Sequence, residues 1–84
     1  MKARVHIFYK DGVFDPQGNT VSQALQRQGF SRVASVRMGK VIDVEMNTTS
    51  TEEAKRDVQK MCDTLLVNPV IESYQIELIN QGKG

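Results

Sequence analysis

Hydrophobic and polar residues alternate from position 2 to position 10. Ala3, Val5, Ile7 and Tyr9 share one face, and Lys2, Arg4, His6, Phe8 and Lys10 share the other. A period of two predicts a strand with one covered side. The period changes at Pro16. Val21, Ala24, Leu25 and Gln28 recur at helical spacing, which predicts a helix from Pro16 to about Gln28. Its apolar stripe is thin, so it needs a sheet to lean on. Gly29 supplies the stop, with Phe30 beyond it. The junction between strand and helix is Asp11-Gly12-Val13-Phe14-Asp15-Pro16-Gln17-Gly18. Gly12 suits a sharp turn. Asp15 before Pro16 is a helix-start signal: the carboxylate accepts from first-turn amides, and proline gives up an amide that had no partner.

Alternation returns at 33–38, with Ala34, Val36 and Met38 on one side, and again at 41–47, with Ile42, Val44 and Met46. Gly39-Lys40 between them predicts a tight turn and hence a hairpin. Ser50 with Glu53 is a capping box, and Ala54, Val58, Met61, Cys62 and Leu65 form a continuous stripe for a second helix. Asn68-Pro69 ends that helix. Val70 to about Ile79 predicts a last strand, with Tyr74, Ile76 and Leu78 on one face, and residues 79–84 read as a loose tail. The order β-α-β-β-α-β predicts a single α+β domain over 1–84. The expected form is a ferredoxin-like two-layer sandwich, with a four-stranded antiparallel sheet and both helices on one face. Right-handed crossovers give the strand order 4-1-3-2. The open face carries Lys2, Arg4, His6 and Phe8 beside Asp43 and Glu45, whose opposite charges can pair.

Size changes the picture more than charge does. A chain of 84 residues buries a limited core, which favours association with a partner. The net charge of +1 supports neither a nucleic-acid footprint nor a polybasic membrane surface. A single cysteine, Cys62, excludes an internal disulfide. The absence of a signal-peptide core or a long apolar run points to the cytoplasm.

Catalytic chemistry has little to stand on. His6 is the one histidine and falls mid-strand, a position that suits a surface or interface residue better than a base. Cys62 lies on an apolar stripe and reads as a small core residue rather than a nucleophile. Asp11 and Asp15 read as a turn former and an N-cap rather than an acid pair. Gly12 and Gly18 lack the lysine and hydroxyl residues of a phosphate-binding loop. No spacing suggests a metal site. RNA recognition on such a sheet needs aromatics on both central strands, and Asp43 and Glu45 occupy the third. A small-molecule-sensing regulatory domain of the same topology stays open as an alternative.

Four segments together carry a family signature: Lys10 to Gly18, Val36-Arg37-Met38-Gly39-Lys40, Glu52-Glu53-Ala54-Lys55, and Met61 to Tyr74 through Asn68-Pro69. In length, order and spacing the chain resembles the PurS family, the small subunit of phosphoribosylformylglycinamidine synthase. Phe14 and Val67 depart from the family's usual leucine and alanine, both at apolar positions. The resemblance implies a non-catalytic subunit that binds no cofactor itself, with ATP and magnesium on the large partner. It implies a homodimer or tetramer that bridges a synthetase (PurL-type) and a glutaminase (PurQ-type) subunit and aids ammonia transfer. The complex converts formylglycinamide ribonucleotide to formylglycinamidine ribonucleotide in purine biosynthesis. Exposed charges and turn residues of the signature are the expected contact points: Asp11, Gly12, Asp15, Pro16, Arg37, Gly39 and Lys40. Arg37 and Lys40 are expected to flank the hairpin turn.

Overall fold

A computed structural model describes residues 1–79; the expected tail lies, from residue 80 onward, outside them. The first alternating run forms β1 (Lys2–Tyr9), and the first helical run forms α1 (Pro16–Arg27). They are followed by β2 (Gly39–Glu45), α2 (Thr51–Met61), a single π-helical turn (Cys62–Leu66) and β3 (Glu72–Ile79). β1 is the central strand. It pairs antiparallel with β2, placing Val5 opposite Ile42, and antiparallel with β3, placing Val5 opposite Ile76. The side chains of Ala3, Val5 and Ile7 are buried beneath α2, which contributes Ala54 and Val58, and beneath Cys62 of the π turn.

Among the described residues the sheet has three strands in the order β2-β1-β3, not four. The expected neighbours 4-1-3 are present, and the expected second strand is missing. Residues 33–38 alternate, yet other groups use their backbone neighbourhood. The Met38 amide donates to Asp15 Oδ2 at 2.7 Å, and Gln26 Nε2 donates to the Val33 carbonyl at 2.8 Å. There is accordingly no hairpin at Gly39-Lys40. Both residues lie inside β2, opposite Phe8 and Ile7.

The helices also differ from the expectation of two on one face. α2 packs on β1 and β3, whereas α1 makes no extended contact with the sheet or with α2. The radius of gyration, 16.5 Å, exceeds the value of about 12 Å usual for a compact chain of this length. The stripe of α2 changes at the π turn. Its wider winding moves Leu65 out to 81% exposure, and Leu66 packs against the core in its place.

Candidate partner-binding surface

The stretch 10–18 leaves the sheet at the end of β1 and sets α1. Lys10 to Val13 make a turn closed by the Val13 amide on the Lys10 carbonyl at 3.1 Å, with Gly12 at φ 85°. Asp15 caps α1 by accepting from the Gly18 amide at 2.9 Å, while its second oxygen takes the Met38 amide. These two backbone donors hold its carboxyl below the usual carboxylate range, with a smaller contribution from Arg37. One buried side chain thus joins the helix start to the segment entering β2. Pro16 occupies the first helical position. Gly18 faces the same segment so closely that a Cβ would collide with the Val36 carbonyl oxygen. At the other end, Gly29 (φ 101°) closes a Schellman motif: its amide donates to Gln26 O and that of Phe30 to Leu25 O, both at 3.1 Å.

Arg37 does not flank a turn. Its guanidinium donates to the carbonyls of Tyr9, Lys10 and Val13, each at 3.2 Å, and so ties the segment before β2 to the loop after β1. Lys40 pairs with Glu72 at 3.5 Å, linking the two outer strands across the end of β1. Gly39 sits where a Cβ would press on the Ile7 carbonyl. Of the seven expected contact residues, Asp15, Arg37 and Lys40 are therefore engaged within the chain. Asp11 and Pro16 are exposed, and Gly12 and Gly39 serve the backbone. The seven converge at one end of the sheet, because the first loop, the segment before β2 and the start of β3 all meet there.

A concavity of about 320 Å³ opens at this end, lined by residues including Lys10, Cys62, Asp63, Glu72 and Tyr74. Its polar groups bond one another. Lys10 Nζ donates to the Pro69 carbonyl at 2.6 Å, Tyr74 donates to Asp63 Oδ1 at 3.2 Å, and Glu72 Oε1 accepts from the Asn68 amide at 2.8 Å. Burial pushes the Cys62 thiol up, and the Asp63 charge adds to the shift, as suits a core residue. Among the described residues, no group of His, Cys, Asp and Glu could hold a metal ion.

The open face of the sheet is laced with charge. Arg4 binds Asp43 in a fork, at 2.9 and 3.2 Å, and Lys2 stands 3.9 Å from the same carboxylate. The Arg4 hydrogen bond holds Asp43 below its usual range. His6 meets Glu77 at 3.2 Å, a pairing visible only once β3 is placed beside β1.

The largest contribution that the sequence concealed is apolar. Phe14, Val21, Phe30 and Met38 are all exposed, at 69, 37, 56 and 38%. Val21 and Met38 line a concavity of about 450 Å³ with Pro16, Gln17 and Thr20. The thin stripe of α1 was the available signal, but periodicity does not say whether a stripe faces its own sheet. Exposed apolar area of this kind marks interaction surfaces.

Comparison with known proteins gives a consistent result. The family model PurS, phosphoribosylformylglycinamidine (FGAM) synthase, matches residues 2–80. The PurS subunit of Archaeoglobus fulgidus is 45% identical over 76 residues, covering 90% of this chain and 95% of the relative. The crystal structure of Methanocaldococcus jannaschii PurS superposes with a TM-score of 0.82 at 43% identity, covering 90% of this chain and 92% of that one. A chain of the PurLQS structure from Thermotoga maritima superposes with a TM-score of 0.82 at 36% identity, covering 90% and 93%.

Proposed function

The chain belongs to the PurS family of phosphoribosylformylglycinamidine synthase subunits, and on that premise we propose that it is the non-catalytic bridge of the complex. In this reading it acts as a homo-oligomer in the cytoplasm, joins a PurL-type synthetase to a PurQ-type glutaminase, and aids the passage of ammonia between them. ATP and magnesium belong to the synthetase. The observation that carries the reading is the likeness to a chain of the PurLQS structure over nine-tenths of this one.

The geometry is that of a fitted part. Lys10, Arg37, Lys40 and Glu72 at the loop end of the sheet carry internal bonds that stiffen it, while apolar side chains along α1 and residues 30–38 stand open. β2 and β3 each have an outer edge, and an open edge can pair with another chain. Such surfaces serve assembly.

The test is reconstitution. Synthetase and glutaminase are assayed for glutamine-dependent turnover with and without this chain, and light scattering gives its mass alone. Turnover is expected only with all three components, and the isolated chain is expected to be at least a dimer. Full glutamine-dependent turnover in its absence would defeat the bridging role.

A further inference from the structure

The concavity at the loop end of the sheet is built from three separate parts of the chain. Lys10 comes from the loop after β1. Cys62 and Asp63 come from the π turn, with Val67 just beyond it, and Tyr74 comes from β3. The π turn shapes the hollow. Its closing bond runs from the Val67 amide to the Cys62 carbonyl at 3.2 Å, and these two buried side chains form an apolar floor. Single π turns inside α-helices recur at functional sites. At about 320 Å³ the volume is near the bottom of the range of about 300–1,000 Å³ usual for small-molecule sites, so its occupant must be small.

The rim is fixed in advance. The Lys10 amide donates to the Ile71 carbonyl at 2.9 Å, the Glu72 amide donates to the Asn68 carbonyl at 2.8 Å, and the Asn68 amide donates back to Glu72 Oε1. Preorganisation of this kind lowers the cost of binding. The bonds within the rim still leave capacity free. Lys10 Nζ uses one donor on the Pro69 carbonyl, and an ammonium group has three. Asp63 accepts from Tyr74 through Oδ1, and among the described residues Oδ2 takes no bond. Glu72 is committed to Asn68 and Lys40. The hollow therefore offers one open cation and one open carboxylate oxygen above an apolar floor. A phosphate would be repelled by Asp63 and Glu72, and a metal ion by Lys10. The complementary ligand is a small molecule that carries both charges and is neutral as a whole.

We propose that this concavity binds a free α-amino acid. The ligand's carboxylate takes the open donors of Lys10, its ammonium group takes Asp63 Oδ2, and its side chain lies over Cys62 and Val67. The site goes beyond the bridging role, because a bridge needs no ligand. The isolated chain binds the amino acid whether or not the complex depends on the chain for assembly.

Nuclear magnetic resonance tests this directly. Amide spectra of the isotope-labelled native protein are recorded against each common α-amino acid up to millimolar concentration. Saturable shifts are expected at Lys10, Asp63 and Tyr74 with at least one of them. The best binder is then compared with its two single-charge analogues, the acid without the amino group and the amine without the carboxylate. Each analogue is expected to bind more weakly by about tenfold or more, since each loses one charge-assisted contact. Asp63→Asn is a second measurement: it keeps an acceptor for Tyr74, removes the charge, and should weaken the amino acid by about the same factor. No saturable shift with any amino acid would overturn the proposal. So would shifts confined to another part of the fold, analogues that bind as well as the amino acid, or a folded Asp63→Asn protein of unchanged affinity. None of these results alters the outcome of the reconstitution.

Discussion

The two helices of this protein are nearly equal in local quality and unequal in everything else. Each begins on a side-chain cap: Asp15 accepts from the Gly18 amide, and Ser50 accepts from the Glu53 amide at 3.1 Å. α2 adds a relay in which the Ser50 amide donates to Thr48 and the Thr48 hydroxyl donates to Glu53, both at 3.1 Å. α1 adds a Schellman close. Yet α2 and the π turn after it bury Ala54, Val58 and Cys62 against the sheet, whereas α1 buries only Gly18 and Ser22, against the segment that follows it. Caps determine where a helix starts and ends. Burial of an apolar face supplies most of its stability in a protein. The sheet with α2 is therefore the stable unit, and α1 is an arm whose apolar face stays largely exposed.

That contrast can be broken at several points. The largest effect is expected from Ile7→Ala, which opens a cavity under α2; a loss of about 3 kcal/mol should appear in urea denaturation, affecting the whole protein. Gly18→Ala comes next. The added methyl meets the Val36 carbonyl, and a local cost of about 2 kcal/mol should appear as faster amide exchange in α1 and around Met38, with β1 and α2 little changed. Uniform loss of protection across the sheet would show that the arm is not a separate unit.

Acid should loosen the arm in the same selective way. The Asp15 carboxyl is held below its unfolded value by the Gly18 and Met38 amides. Its contribution is thus present above the unfolded value of about pH 4 and is lost as pH falls through the lower folded value. Exchange protection of α1 should decline below about pH 4, and Asp15→Asn should flatten that dependence. The smallest effect is expected from Arg4→Ala. Its fork with Asp43 is solvent-exposed, so the urea midpoint should barely move.

Much of the fold was legible in local pattern. The alternation of Ala3, Val5 and Ile7 specified a half-buried strand, and the structure buries those three. Asp15-Pro16, Ser50 and Gly29 marked helix ends correctly because capping depends on groups within a few residues. The pairing of Arg4 with Asp43 followed from placing their strands side by side. The family segments gather at the loop end of the sheet, where the tertiary structure adds what the sequence did not show: Asp15, Arg37 and Lys40 also carry bonds within the chain.

Local pattern and overall likeness specified the caps, the central strand, the apolar stripe of the second helix as far as Cys62, and the family. All of these rest on short-range spacing or on whole-chain similarity. The remaining features arise from contacts between distant parts of the chain. Residues 33–38 alternate like a strand, but Asp15, Gln26 and the close approach of Gly18 bind them to α1 instead of a ladder. The π turn shifts the stripe by one residue and exchanges Leu65 for Leu66. α1 keeps its period but stands off the sheet. A hydrophobic period says that a face wants cover. Which surface covers it depends on contacts between residues far apart, or on another chain.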